Sequence, residues 1–393
     1  MVLLSFLGKG DYQEVTYFIP GENKEFKTKF FLQALNEFYA PSKIIVYMTE
    51  EAERKYDEEL RSKITFEKKR ICEGKTIEEL WNNFEIISES IPNDEAIIID
   101  ITHAFRSIPI IALSVITFLR VLNNINVEKI LYGAFEAKNF YNGKAPIFDI
   151  TSFLHLIEWS YATDEFLNFG NAKRLREIMD NIHNKSYKET TNTKSVSLKS
   201  LGKNLDKITT ALAVVRPSEV VKNAKELPRI IEKVKIDLEN LPDVKPLSKL
   251  LNILPENFKI IADAEGNLFD SKGFKAQAEM INFYIQIKQF QQAITLARES
   301  IVSYLCCQDK LNPFDRNERE KVETILNEWV DLSRKGIMLN EKSSRFAELW
   351  AKIINCRNDI NHAGMRKEPS SAEQLIKNII DVCNRATELL LNF

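Results

Sequence analysis

Arg357 and His362 stand near the C-terminal end of the chain, with Asn358 and Asn361 between them. An arginine can hold a phosphate, and an imidazole titrates near neutrality, so it can accept or donate a proton. Either asparagine could orient the phosphate or the imidazole. These residue types suit acid–base chemistry at a phosphodiester. A single histidine is more often structural, and that interpretation stays open on these residues alone.

The segment that leads into this pair, residues 343–363, predicts an amphipathic helix. Its apolar residues recur at helical spacing: Phe346, Leu349, Trp350, Ile353 and Ile354. The same periodicity, continued at about 100° per residue, places Arg357 near the middle of the apolar stripe. A charged side chain on a face meant for burial is costly unless it is paired. The arginine therefore forms a buried or interfacial ion pair, extends to solvent at the helix end, or serves a site.

A second group of polar residues follows an apolar run at residues 96–100. Thr102, His103 and Arg106 come after it, and Ser107 can then cap a helix that has Pro109 in its first turn. Polar groups are costly in a core, so their clustering at a strand end indicates a binding site. A capped helix with a satisfied histidine and an exposed arginine is the equally weighted alternative.

A turn that contains two glycines follows the first apolar run. It comprises Gly8, Lys9, Gly10 and Asp11. Glycines let backbone N–H groups approach a phosphate or a base closely, and the lysine adds positive charge. The chain has neither a three-glycine dinucleotide fingerprint nor a Walker A sequence. By itself this segment is therefore typical of an ordinary tight turn.

The elements that must position these residues alternate over residues 1–150. Continuous apolar runs predict strands buried on both faces: 2–7, 43–48, 96–102, 129–135 and 146–150. Helical patterns lie between them: 25–39, 50–63, 76–90 and 107–122. This alternation predicts an α/β fold with a Rossmann-like parallel sheet. Ligands bind such sheets at the carboxyl ends of the strands, where both polar segments lie.

Beyond the sheet the strand signals stop, and helical spacing continues to the end of the chain. We expect prolines to interrupt the helices of the middle section, namely Pro217, Pro228, Pro242, Pro246 and Pro255. The prediction is a sheet domain over residues 1–165, an all-α connector over 166–265 and an all-α domain over 266–393.

The composition, with 44% apolar and 28% charged residues, is that of a soluble globular protein. A formal charge of −2 gives no support for tight, non-specific nucleic-acid binding, so any RNA contact must be local. The five cysteines form no C-x-x-C and the four histidines are scattered, which indicates a reducing compartment and no metal site. The longest apolar stretch, 108–119, is too short to span a bilayer. We expect a cytoplasmic protein with no membrane partner.

Three segments, in order along the chain, resemble the strand-end motifs of CRISPR-associated CARF proteins. The run D-x-T-H-A-F-R-S-I-P from Asp100 resembles the family's Asp-x-Thr-His-Gly signature, with Ala104 at the glycine position. The opening S-F-L-G-K-G-D-Y and the later L-Y-G-A-F-E-A, residues 131–137, are similar to two further segments of that family. Near the other end, residues 357–362 resemble the Arg-x4–6-His motif of HEPN ribonucleases. The chain thus resembles the CARF–HEPN accessory ribonucleases of type III CRISPR systems.

The resemblance implies a homodimer, or a higher oligomer of dimers, that binds a cyclic oligoadenylate in a groove between two CARF domains. The residues that would bind this ligand are Gly8, Lys9, Gly10, Asp11, Thr102, His103 and Arg106. It also implies a HEPN domain with a catalytic site formed by Arg357, His362, Asn358 and Asn361. Cyclic tetra-adenylate is the favoured activator on family analogy, and cyclic hexa-adenylate is the alternative.

The expected function is an endoribonuclease of antiviral defence that needs neither metal nor cofactor and is activated allosterically by the cyclic oligoadenylate. It would cut single-stranded RNA and leave 2′,3′-cyclic phosphate and 5′-OH ends. One alternative is a CARF-type regulator whose helical C-terminal half binds DNA or protein without catalysis. The near-neutral charge and the lack of a clear helix-turn-helix favour the enzyme. A dinucleotide-dependent enzyme is a remoter alternative, because the glycine fingerprint is missing.

Overall fold

A computed structural model describes residues 1–104, 107–123, 125–188, 196–239, 251, 258–365 and 367–393, with only the backbone at 185–188, 196 and 239. The described chain divides into two compact units, Met1–Ile157 (unit 1) and Glu158–Phe393 (unit 2). The finer division into three domains stays a prediction.

Unit 1 is built on eight strands: β1 (Val2–Leu7), β2 (Val15–Phe18), β3 (Glu25–Thr28), β4 (Lys43–Met48), β5 (Glu67–Arg70), β6 (Ala96–Asp100), β7 (Asn126–Gly133) and β8 (Ala145–Asp149). They form one sheet in the order β3-β2-β8-β7-β6-β1-β4-β5. The five strands from β7 to β5 are parallel. Strand β8 is antiparallel to β7, and β3 is antiparallel to β2. The α/β prediction is confirmed, with a mixed sheet in place of a wholly parallel one.

The helices of unit 1 are α1 (Phe31–Tyr39), α2 (Glu50–Arg61), α3 (Ile77–Ser90) and α4 (Ile108–Leu122), and a short 3-10 helix covers Phe135–Phe140. Side-chain oxygens of Thr49 and Thr76 accept backbone N–H groups at the starts of α2 and α3. The helix predicted over 25–39 is wrong in its first part, because residues 25–28 pair with β2 as a strand. There Phe26 and Thr28 alternate with two charged residues, which is the period of a strand.

The central strands are covered on both faces, as their continuous apolar runs predict. On one face Leu3 of β1 and Val46 of β4 pack with α1 and α2. On the other face Leu4 and Ile45 pack with α3 and α4. Full burial of one such side chain stabilises the fold by roughly 1.5–3 kcal/mol, so this double layer holds the strand ends in fixed register.

Unit 2 is helical. Its helices are α5 (Thr151–Phe169), which starts in unit 1, α6 (Lys173–Lys188), α7 (Val196–Ala213), α8 (Pro217–Glu239), α9 (Ser271–Gln286), α10 (Phe290–Gln308), α11 (Arg316–Arg334), α12 (Glu341–Asn361) and α13 (Ala372–Leu391). Helix α8 runs through Pro228, so the predicted interruption there is wrong. Buried Ala224 and Ile231 hold the helix against the core on either side of that proline. Pro242, Pro246 and Pro255 lie outside the described residues. Within the described ranges, no helix is long and apolar enough to cross a bilayer.

One outer face of α3 and α4 stays apolar and exposed. Trp81 is 63% exposed, Ile110 69% and Val121 75%. Phe84 links Trp81 to Phe118, with ring centroids 5.7 Å apart in both pairs. A helix that is apolar on every side, like α4, is ordinarily covered on every side. We call this surface the α3–α4 apolar face.

Candidate functional site

The polar segments that follow β1 and β6 emerge side by side. The two strands are hydrogen-bonded neighbours, and the chain winds outward from them in opposite directions, to β4 and β5 on one side and to β7 on the other. Such a reversal of strand order opens a crevice at the carboxyl edge of a sheet. The N–H of Gly8 donates to the carbonyl of His103 at 3.2 Å, which joins the two segments directly.

Asp100, the last residue of β6, anchors the segment that follows it. Its carboxylate is fully buried and accepts the Ser5 hydroxyl at 2.6 Å and the Thr102 N–H at 2.7 Å. Burial raises the pKa of Asp100 to about 6, and the hydrogen bonds from Ser5 and Thr102 partly oppose that rise. The carboxylate therefore fixes the path of the backbone beneath the crevice and does not itself face a ligand.

Thr102 connects the same segment to a third strand end. Its hydroxyl oxygen accepts the N–H of Gly133, the last residue of β7, at 2.8 Å. A Cβ at position 133 would lie 2.8 Å from the rings of both Phe31 and Tyr17. Only glycine fits there without displacing aromatic side chains, and this close approach brings β7 within reach of Thr102.

His103 is held as a neutral imidazole. Its ring lies 4.0 Å from the ring of Tyr12, and its Nε2 accepts a weak hydrogen bond from the Phe31 N–H at 3.5 Å. Burial lowers the pKa of His103 to about 4. At neutral pH this residue therefore offers stacking and hydrogen bonding, and it adds no positive charge for a phosphate.

These segments enclose a cavity of about 540 Å³. Six of the seven residues predicted to bind the ligand line it: Gly8, Lys9, Gly10, Asp11, Thr102 and His103. The seventh, Arg106, lies outside the described residues. A cavity of this size accommodates a nucleotide-sized ligand. The structure thus brings these residues to one place, while their role in binding stays a prediction.

Other cavity residues were missed from the sequence, chiefly aromatic and acidic ones: Tyr12, Tyr17, Glu73, Tyr132, Phe135 and Glu136. The Tyr132 hydroxyl donates to the Glu136 carboxylate at 2.9 Å. The sequence carries a signal for part of this set, because residues 131–137 resemble a strand-end motif and include Tyr132, Phe135 and Glu136. Aromatic rings and a carboxylate acceptor suit a nucleobase better than a phosphate.

The turn after β1 supplies the groups that suit an anion. The backbone N–H groups of Lys9, Gly10 and Asp11 donate to no acceptor among the described residues. The Lys9 ammonium pairs with Glu51 at 3.1 Å, and Asp11 pairs with Lys55. Because the side-chain charges are already paired, the unoccupied N–H groups are the better phosphate donors here.

The second predicted site lies at the end of α12. Arg357 is partly buried, and its Nε is fully shielded from solvent without a hydrogen-bond partner among the described residues. Asn358, Asn361 and His362 are exposed. The N–H of His362, the residue that ends the helix, donates to the carbonyl of Asn358 at 3.0 Å. The four predicted residues thus share one helix end, with the arginine facing inward as its periodicity predicts.

The turn beyond His362 is fixed by Asp359. The carbonyl of this buried residue accepts the Gly364 N–H at 2.9 Å, and its carboxylate accepts the Ser370 N–H at 3.4 Å. Gly364 has a φ of +68°, which suits a residue without a side chain. This arrangement presents the imidazole to solvent at the helix end, and Arg357 has no carboxylate partner among the described residues.

Comparison with known proteins gives two similarities. Residues 155–263 match the family described as CRISPR-associated protein MJ1674, second domain. CRISPR-associated protein MJ1674 of Methanocaldococcus jannaschii is 25% identical over 300 residues, which cover 74% of this chain and 41% of the relative. These similarities support a CRISPR-associated protein. The chain spans less than half of that relative, whose name states no activity, so a ribonuclease is a proposal.

Proposed function

We propose that the protein is a metal-independent endoribonuclease of CRISPR defence that a cyclic oligoadenylate activates. The observation that carries the ribonuclease is Arg357, because a guanidinium nitrogen shielded from water without a partner is costly in a resting protein. We propose that a phosphate of the bound RNA pairs with this guanidinium, and His362 follows on the same helix end. Asn358 and Asn361 are exposed beside them and could orient the phosphate or the imidazole.

The reaction needs only these groups and the RNA itself. The ribose O2′ attacks the adjacent phosphorus, the P–O5′ bond breaks, and the 2′-OH proton passes to a neutral His362. The leaving O5′ takes a proton from a protonated imidazole, for which the partner's His362 is suited in a dimer. Arg357 stabilises the charge that grows on the phosphoryl oxygens. The products are a 2′,3′-cyclic phosphate and a 5′-OH, and DNA, which lacks the 2′-OH, is not a substrate.

The cavity of unit 1 is proposed to bind the activator. Its unoccupied backbone N–H groups suit phosphates, and its aromatic rings with Glu136 suit adenine bases. A cyclic tetra-adenylate is larger than one such cavity, so a homodimer that joins two of them is proposed. The α3–α4 apolar face is exposed in the single chain, and an exposed apolar surface is typical of an interface, so we propose that a second copy of the chain packs against it.

The test incubates the protein with labelled single-stranded RNA and EDTA, with and without cyclic tetra- or hexa-adenylate. The expected result is cleavage that the activator stimulates and that His362→Ala and Arg357→Ala abolish. Arg316→Ala is the matched control, because Arg316 is 90% exposed at the side chain and pairs only with Glu320. RNA that stays intact with every ring size would end the proposal and favour a regulator without catalysis.

A further inference from the structure

The outer surface of α7 and α8 is rich in cations. The two helices pack through buried apolar side chains such as Leu205 and Val221. Two hydrogen bonds also join them: Asn204 donates to the carbonyl of Asn223 at 3.2 Å, and the Ser197 N–H donates to Asp237 at 3.0 Å. Their outward positions, most of them exposed, include the following residues, which we call the basic face: Lys199, Lys203, Lys207, Lys222, Arg229 and Lys233. Three of these lysines recur every four residues on α7, so they form one line along the helix.

The cations of the basic face lack carboxylate partners within the part of the chain that the structure describes. The acidic residue of α7, Asp206, is bound instead by Arg176 of α6. In unit 1 most lysines and arginines have a carboxylate partner, as Lys27 has in Glu14 at 2.9 Å and Lys24 in Glu22 at 3.0 Å.

Unpaired cations on one surface are the arrangement that a polyanion recognises. A paired lysine must share its charge or lose its partner before it can bind a phosphate, whereas an unpaired one needs to release only its mobile counterions. Exposed Glu219, Glu226 and Glu232 lie among the cations of α8 and moderate the local charge. Binding is then reversible and strongly dependent on salt, which agrees with a chain whose formal charge is −2.

We propose that the basic face binds the sugar–phosphate backbone of single-stranded RNA without reading its sequence. The choice of RNA rests on the function proposed above, since a ribonuclease must hold its substrate beyond the two nucleotides that react. The basic face lies on helices that contain neither Arg357 nor His362, so it is a binding surface and takes no part in the chemistry.

The experiment measures fluorescence anisotropy of a labelled, fully 2′-O-methylated RNA, which lacks the attacking hydroxyl and stays intact. The native protein is compared with the triple variant Lys199→Gln, Lys203→Gln and Lys207→Gln over a range of salt concentrations. Affinity should fall on the order of tenfold at low salt, and the slope of log affinity against log salt should shrink by about 2, at roughly 0.7 per lost contact.

The control removes the same charge from paired lysines, with Lys24→Gln, Lys27→Gln and Lys144→Gln, and should bind like the native protein. An equal loss of RNA affinity in both triple variants, or no loss in the first, would overturn the proposal that the basic face binds RNA. The proposal would also fail if these lysines bind anionic phospholipid vesicles while the triple variant keeps the RNA affinity of the native protein. Cleavage of unmodified RNA is followed in parallel: cleavage with unaltered RNA affinity refutes the basic face alone, and lysine-dependent binding without any cleavage refutes the ribonuclease alone.

Discussion

The two candidate sites are assembled in different ways. In unit 1 Gly8, Thr102 and Gly133 follow or end three strands that are far apart in sequence but adjacent in the sheet, and hydrogen bonds hold each in place. In unit 2 Arg357 and His362 come from one helix end, where the arginine Nε is shielded from solvent without a hydrogen-bond partner among the described residues and the histidine is exposed. Hydrogen bonds between neighbouring strand ends fix the first set of residues relative to one another, whereas the second set is placed by a single helix. This difference agrees with the roles proposed for the two sites, ligand binding in unit 1 and RNA cleavage in unit 2.

The largest expected effect that separates the two sites is the loss of RNA cleavage when His362 is replaced. His362→Ala should lower the rate at least a hundredfold, within the roughly 10²–10⁴-fold that general acid–base catalysis contributes. Affinity for cyclic tetra-adenylate, measured by calorimetry, should stay unchanged because the cavity residues belong to unit 1. Weaker ligand binding in this variant would contradict separate roles for the two sites.

Asp100 allows a test of how tightly the first site is fixed. Burial raises the pKa of this carboxyl to about 6, against roughly 3.9 in an unfolded chain. Between those pH values the folded protein holds the proton and the unfolded chain does not, so the free energy of unfolding falls as the pH rises. The total decrease is about 3 kcal/mol, most of it occurs below about pH 6, and it persists at higher pH. Asp100→Asn cannot ionise, and its amide can still bond to Ser5 and Thr102.

Relative to the native protein, Asp100→Asn should therefore gain about 2–3 kcal/mol of unfolding free energy between pH 4 and pH 7. Urea unfolding of both proteins across this range measures the difference, in which the contributions of all other titrating groups cancel. A difference that does not change with pH would show that Asp100 titrates normally in the fold.

Gly133→Ala tests the close approach of β7. The added Cβ would meet Phe31 and Tyr17 at 2.8 Å, so we expect a loss of about 1–3 kcal/mol, seen as a lower Tm, together with weaker ligand binding. Gly10→Ala is the matched control for stability alone, because its Cβ would meet only the Tyr12 ring, at 3.3 Å, while Gly10 itself lines the cavity. An equal decrease in Tm in both variants would mean that the close contacts of Gly133 with Phe31 and Tyr17 do not determine the loss of stability.

The smallest expected effect concerns the exposed wall of the cavity. Tyr132→Phe removes the hydroxyl that donates to Glu136, which should change ligand affinity by at most about fivefold, or roughly 1 kcal/mol. Tyr141→Phe, outside the cavity lining, should have no effect. Equal titration curves for native protein and Tyr132→Phe would remove this pair from ligand recognition.

Much of this arrangement followed from the sequence. The apolar runs gave β1 and β4 their observed bounds, and helical periodicity placed Arg357 on an inward face. Strand β5 has the sequence EKKR, so the apolar pattern does not predict it. It is stabilised by pairing with β4 and by contacts such as that of Lys68 with Glu53 of α2. Which cations find partners depends on tertiary packing, so the basic face could not be predicted from composition.

The hydrogen bonds from Gly8 to His103, from Thr102 to Asp100 and from Gly133 to Thr102 form a continuous chain across three strands. None of these amides can be released without disturbing its neighbours, so their hydrogen exchange with solvent should occur in a single opening event. A ligand bound at any one of these strand ends would then slow hydrogen exchange at the amides of Gly8, Thr102 and Gly133 together, including amides that the ligand does not contact.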